Sequence, residues 1–282
     1  MNSAASRFGL APNHQRARGE LRVSFRQREG RTVLDGLRQE GCLKARFPRP
    51  ERGAWTSMVM LNTSGGVAGG DSLATAIGVA DGASVTVTGQ TAERFYRALP
   101  TGGAAQLRNV LTVGARAAAE WLPQETILFD RCALDRRLDV SLGSDAWFLG
   151  IEALVFGRAA MGETVKQATV RDTVRVTRES ALVLHDAVRL DGAVEALLGR
   201  AAVMRGTRGL ATILLASQDA ETRLDTLREA LAPCDAEWGA SAWNGLLVAR
   251  ILATDGARLR KAMIAGIQVL RATRPMPRVW LC

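Results

Sequence analysis

The stretch LNTSGGVAGGD, Leu61 to Asp71, packs four glycines into six residues, at Gly65, Gly66, Gly69 and Gly70, and closes on Asp71. An apolar run, Met58 to Leu61, enters it, and alternating residues leave it. Glycine alone takes φ > 0 without strain, so this pattern predicts a tight connection between two strands. A phosphate loop is excluded, because no GKS or GKT follows the spacer. A dinucleotide fingerprint is excluded too: it needs glycines at i, i+2 and i+5, and here they fall at i, i+1, i+4 and i+5.

Working outward, the first two-thirds read as strands. Leu21, Val23 and Phe25 alternate with Arg22, Ser24 and Arg26. Val85 and Val87 alternate with Thr86 and Thr88, Leu138, Val140 and Leu142 with Asp139 and Ser141, and Val174 and Val176 with Thr173, Arg175 and Thr177. Period two means one buried and one polar face. ADGASVTV, TVGARAAAEW and SLGSDAWFLG form a faint repeat whose glycines, Gly82, Gly114 and Gly143, stand 32 and 29 residues apart. Stacked β layers give such spacing.

The last third changes character. Residues 193–205 predict a short helix, 209–216 a buried strand, 219–231 a helix stopped by Pro233, and 246–252 a strand. A second long helix, capped by Thr254 or Asp255, is predicted to run to about Arg271 with Leu259, Met263, Ile267 and Leu270 on one face. No Pro/Gly/Ser-rich linker interrupts the chain, so one domain over 1–282 is expected, with 1–19 flexible. The fold class that follows is mainly β with a small α+β layer of about two helices in the C-terminal third.

Composition narrows the function classes. Hydrophobic residues make up 47% and charged residues 23% of the 282, an ordinary globular balance. No apolar run reaches the ~18–20 residues a bilayer span needs, and no secretory h-region opens the chain, so a cytoplasmic location without membrane contact is expected. Cys42, Cys132, Cys234 and Cys282 form no CxxC clip. The net charge of +9 is uneven: residues 1–53 carry 12 Lys/Arg against 5 Asp/Glu. No nucleic-acid motif accompanies them, and an acidic protein partner is favoured over a nucleic acid. A hydrolase needs a nucleophile and a base; only His14 and His185 supply imidazoles, and there is no GxSxG elbow.

Three further blocks stand in order after the glycine turn: GQTAERFYR (Gly89 to Arg97), EWLPQETILF (Glu120 to Phe129) and the terminal PRVWLC (Pro277 to Cys282). The four blocks together resemble the UreD family of urease accessory proteins, called UreH in some lineages. Thr63-Ser64 stands where that family often has prolines. The resemblance spans nearly the whole chain and is weakest over residues 1–20. It implies an irregular, layered, β-helix-like body and a metallochaperone scaffold rather than an enzyme. Such a scaffold binds apo-urease, recruits a UreF-type protein and through it a UreG-type GTPase, and helps route nickel into urease.

It also implies site residues. Asp71 matches the Asp that closes the family's glycine turn, and His185-Asp186 stands where the family can carry a glutamate. Asp71, His185 and Asp186 are thus expected along a transient nickel path, with no tightly bound cofactor. Gly65, Gly66, Gly69, Gly70, Glu93, Arg94, Tyr96, Arg97, Trp121 and Pro123 are expected as structural or partner-docking positions. Asp71, Glu93, Glu120, Glu125, Asp130, Glu152, Glu163 and Asp186 are the carboxylates in or beside these blocks, for which ion pairs with Arg94, Arg97, Arg158 and Arg189 are the structural alternative. A stand-alone β-fold hydrolase and a basic nucleic-acid binder are the competing functions.

Overall fold

The computed structural model describes residues 16–100, 102–158 and 161–281. His14, Cys282 and residues 1–15 of the segment expected to be flexible lie outside the described residues, while Arg18 and Gly19 already belong to the first strand.

β1 (Arg18–Arg28) and β2 (Arg31–Gly41) form a hairpin, followed by β3 (Leu43–Arg46) and β4 (Thr56–Asn62). The chain then winds. β5 (Ser72–Val79), β6 (Ser84–Gly89) and β7 (Glu93–Phe95) make one coil. β8 (Ala105–Val113), β9 (Ala118–Leu122) and β10 (Thr126–Leu128) make the next, and β11 (Ala133–Leu142) and β12 (Trp147–Phe156) a third. β13 (Ala168–Arg178) and β14 (Ala181–Gly192) close the body as a hairpin. The last third adds α1 (Val194–Leu198), β15 (Gly209–Ala216), α2 (Leu224–Leu231), β16 (Glu237–Trp243), β17 (Leu246–Ala253) and α3 (Gly256–Arg271).

One sheet runs β14-β13-β11-β8-β5-β1-β2; the other runs β16-β17-β15-β12-β9-β6-β4-β3, with β10 and β7 attached at β12. The strands β5, β8, β11 and β13 are parallel neighbours in the first sheet, and β4, β6, β9 and β12 in the second. Parallel neighbours need a long crossover. Here the crossover is a strand of the opposite sheet, which is the layered, β-helix-like body expected. Gly82, Gly114 and Gly143 occupy successive corners of that coil. Gly114 N donates to Val79 O and Gly143 N to Val113 O, both at 2.8 Å, and Gly82 N to Ala115 O at 3.0 Å. The faint repeat is therefore the stacking period itself.

The alternation in β1, β11 and β13 places Leu21, Val23, Phe25, Leu138, Val140 and Val176 between the sheets. In β6 it does not leave a polar face in water: Thr86 and Thr88 are buried with Val85 and Val87. The reason is a second apolar layer. Leu227 and Leu231 of α2 and Leu259, Met263, Ile267 and Leu270 of α3 cover the outside of the second sheet, against Leu149, Ile151, Ile213 and Ile251.

Predicted elements shift where turn chemistry decides. The helix expected over 193–205 ends at Leu198, with Gly199 as its C-cap. The one expected over 219–231 begins as a 3-10 turn at Glu221–Arg223 before α2, and Asp219 accepts from Ser217 Oγ and Arg223 Nε instead of capping it. α3 starts as predicted: Asp255 Oδ1 accepts from Arg258 N at 2.9 Å. β2 and β16 were not anticipated; RTVLDGLRQEG is largely polar and EWGASAW is built on small residues, so neither carries a strong strand signal.

The helical layer is held to the sheet by a buried charge cluster. Glu120, fully buried on β9, accepts from Arg271 Nε and Nη2, both at 2.9 Å, from Arg274 Nε at 3.1 Å and from Thr86 Oγ1 at 2.5 Å. Arg271 is itself buried at the C-terminal end of α3 and also donates to Pro275 O. Removing one partner of a buried pair leaves the other charge uncompensated. Glu120→Ala is therefore expected to cost about 3–5 kcal/mol, with Glu120→Gln/Arg271→Met less damaging than the single change. Urea unfolding measures both, and a wild-type midpoint for Glu120→Ala would remove this cluster from the account.

Candidate functional site

The glycine connection leaves the second sheet at Asn62 and enters the first at Ser72, so it bridges the two sheets. On the way Val67 lies alongside β7, donating to Arg94 O and accepting from Tyr96 N, both at 2.8 Å. The loop thus extends the short third wall made by β7 and β10. Gly66 has φ +143°, and a Cβ there would stand 2.3 Å from Tyr96 Cε2. Gly70 has φ +86°, and its Cβ would meet Gly102 O at 2.7 Å. Tyr96, half-buried, donates to Gly65 O at 3.0 Å and packs edge-on against Phe129 with ring centroids 5.0 Å apart. Gly69 lies in the same loop beside Ala98. Hydrogen bonds stiffen the entry at Thr63-Ser64: Asn62 Oδ1 accepts from Ser64 N and Oγ, and Thr63 Oγ1 donates to Cys42 O.

Between this loop and the sheets lies a cavity of about 220 Å³. Exposed Gly65, Thr91 and Arg94 lie at its outer end; buried Trp121, Thr126, Arg136 and Glu152 line its depth, with Gly66, Glu93, Pro123 and Gln124 also on its walls. Glu93 accepts from Asn62 Nδ2 at 3.1 Å and from Arg94 N at 3.2 Å. Burial pushes its carboxyl above the usual range, and those two bonds and the Arg94 charge only partly offset that.

Glu152, on β12, sits against Arg136 of β11 and Asp172 of β13. Arg136 Nε and Nη2 fork onto Asp172 at 2.9 and 2.6 Å, and Nη1 donates to Thr126 Oγ1 at 2.8 Å. The same Nη1 comes within 2.8 Å of Glu152 Oε2. That approach lies off a hydrogen-bond line, so Oε2 accepts no hydrogen bond although it is buried; the pair is Coulombic. Trp121 Nε1 donates to Glu152 Oε1 at 2.8 Å. Two carboxylates thus share one guanidinium. Burial, reinforced by Asp172, pushes Glu152 up to about 7 against the opposing pull of Arg136 and the Trp121 bond. For Arg136, burial works against the charge, but Asp172 and Glu152 outweigh it and raise its pKa.

The three residues expected along an ion path are not brought together. Asp71 spends both oxygens on backbone amides, Oδ1 on Ala17 N at 2.8 Å and Oδ2 on Ala68 N at 2.7 Å, and so ties the glycine loop to the start of β1. His185 is exposed on β14, the edge strand. Asp186, its neighbour, faces inward, pairs with Arg250 and lines two voids of about 10 and 20 Å³ that also touch Glu152. Among the described residues no group of three or more His, Cys, Asp and Glu side chains is arranged to hold a metal ion.

Of the other expected positions, Trp121 is buried, Glu93 and Pro123 are half-buried, and Arg94 and Arg97 are exposed. Of the four arginines expected as ion-pair partners, only Arg158 forms a pair among the described residues, with Glu163 at 2.7 Å. Glu120, Glu125, Asp130 and Glu152 pair instead with Arg271, Arg260, Arg131 and Arg136. Arg136 was missed although the sequence held a signal. It stands on the buried face of an alternating strand, between Leu134 and Leu138, where a charge needs a partner.

A coiled β body capped by helices, with a polar cavity running from a glycine loop to ionised side chains between its sheets, is the class of protein this geometry defines. The chain belongs to the UreD urease accessory protein family, whose model matches residues 17–281. It is 45% identical over 275 residues to a urease accessory protein UreD of Methylobacterium sp. (strain 4-46), covering 95% of this chain and 96% of the relative. It is 43% identical over 272 residues to that of Dinoroseobacter shibae (96% and 94%) and 43% over 266 residues to that of Rhizobium leguminosarum bv. trifolii (94% and 96%). No helix among the described residues is long and apolar enough to cross a membrane.

Two measurements follow from the site. Gly66→Val drives a branched side chain into the Tyr96 ring at a positive φ and should cost about 2 kcal/mol or more. Melting like the wild type would show that the loop yields freely. The second concerns pH. Glu152 binds its proton near pH 7 when folded and near the ordinary 4.5 when unfolded. Between those values the folded state holds more proton, so this group's contribution to stability is full below about pH 4.5 and is lost as pH rises through about 7. The melting temperature of Glu152→Gln relative to wild type should therefore rise across that window; a constant difference would place the Glu152 pKa in the ordinary range.

Proposed function

We propose that this protein is a non-enzymatic scaffold of urease maturation that binds apo-urease, recruits UreF- and UreG-type proteins and passes nickel through the cavity behind its glycine loop. Family membership supplies the connection to urease. The single observation that carries the route is the cavity itself, with half-buried Glu93 on its wall and buried Glu152 at its depth, two carboxylates whose charges are incompletely matched. A divalent ion entering a low-dielectric space seeks such groups, and a passage needs ligands that are few and loosely held. Asp186 continues the path beyond Glu152, because the small voids between the sheets touch both. Asp71 serves it indirectly, by holding the loop at its mouth.

A hydrolase on this scaffold is less well supported. The only imidazole among the described residues, His185, is exposed on an edge strand and does not line the cavity. Free thiols at Cys42, Cys132 and Cys234 support a reducing, cytoplasmic setting.

The test is nickel per urease active site after activation in cells, with a pull-down of the accessory complex alongside. Glu93→Gln and Glu152→Gln should keep the UreF-type partner and apo-urease in the pull-down and lower nickel loading severalfold. Full loading in both variants would take the route out of this cavity. Recovery of RNA in place of urease, with a steep salt dependence, would favour the nucleic-acid reading.

A further inference from the structure

Arg136 divides the interior. The cavity behind the glycine loop ends on Arg136 and Glu152, and the voids on the other side, lined by Glu152, Asp172 and Asp186, are each only about large enough for a water molecule. The guanidinium holds its two carboxylates unequally. Asp172 takes a two-bond fork and Thr126 a third hydrogen bond, whereas Glu152 is held by charge alone. Glu152 lines the cavity, and its Oε2 is buried and accepts no hydrogen bond. Glu152 is therefore the carboxylate that can swing off the guanidinium while the Asp172 fork stays in place. Removing the guanidinium altogether would leave two buried carboxylates with no counter-charge.

We propose that Arg136 is the resident cation of the passage: it occupies the carboxylate pair until a divalent ion displaces it from Glu152, and its charge then keeps that ion from being retained. The inference rests on the reading of the cavity as an ion route and adds the device that makes binding there brief. A cation beside a carboxylate weakens the hold on a second cation, the more so where water is excluded. Glu152 is the acceptor because it lines the cavity and has no hydrogen bond to the guanidinium; Asp172 is the anchor because its oxygens are both engaged.

The experiment uses the full chain and nickel chloride as the probe in equilibrium dialysis. Arg136→Gln should retain nickel at least about tenfold more tightly than wild type, since a repelling charge is gone from beside the carboxylates. Arg136→Lys should stay close to wild type, because it restores the charge without the fork, and adding Glu152→Gln to Arg136→Gln should abolish the gain. A purely structural Arg136 would not produce this charge-dependent order. If Arg136→Gln does not fold, Arg136→Gln/Asp172→Asn removes the ion pair, leaves Glu152 without a competing cation and should show a smaller gain over wild type, because one carboxylate is lost with the guanidinium. Wild-type retention in whichever of these variants folds overturns the proposal, and if Glu152→Gln still lowers nickel loading of urease, the route survives without the gate. Normal loading with Glu152→Gln would instead remove the route on which the gate depends.

Discussion

Arg136 stands where the pattern of its strand calls for an apolar side chain, and much of the body is arranged around that exception. Leu134 and Leu138 flank it on the same buried face of β11. Removing a guanidinium from water is costly, and the cost is offset only with partners in good geometry. Those partners come from three directions: Asp172 from the neighbouring strand, Glu152 from the opposite sheet and Thr126 from the third wall. A slip of one residue in β11 would turn the guanidinium outward and strand the carboxylates between the sheets. The charge cluster therefore fixes strand register, in a body whose parallel strands would otherwise be aligned mainly by interchangeable aliphatic residues.

A second buried cluster does for the helical layer what Arg136 does for the coil. Glu120 points out of the second sheet on the face opposite Trp121, which points in. A strand with charges and large apolar groups buried on both faces must be sandwiched, as parallel strands commonly are. α3 supplies the cover and Arg271 at its end the counter-charge. Arg274 adds a stack on Trp55, 4.0 Å from the ring centre, and Trp280 donates to Leu122 O at 3.1 Å. Trp280, in the terminal block of sequence, is therefore packed against β9.

Local signals were legible wherever one residue's neighbours decide its conformation. The glycine turn, the three stacked corners, the alternating strands and the Asp255 cap all depend on contacts or periods of a few residues. β2 and β16 escaped notice because edge strands are held by backbone pairing and carry little side-chain pattern. The candidate site was half legible. Glu93, Trp121 and Pro123 belong to conspicuous blocks and line the cavity, whereas Asp71, expected on an ion path from its match to the Asp that closes the family's glycine turn, has both oxygens bound to backbone amides.

The amino-acid order by itself determined a layered β coil with a helical end, the family and the positions of the turns, because periodicity, glycine and capping act locally. Only the tertiary structure decided which arginine meets which carboxylate. Glu120 and Arg271 are 151 residues apart, and Arg136 and Asp172 are 36 apart. No spacing rule joins such pairs, since their distance is set by how strands stack and not by how far the chain runs. The same holds for the polar cavity: its walls come from separate coils, and it exists only where a glycine loop with no side chains to fill the gap crosses between two sheets.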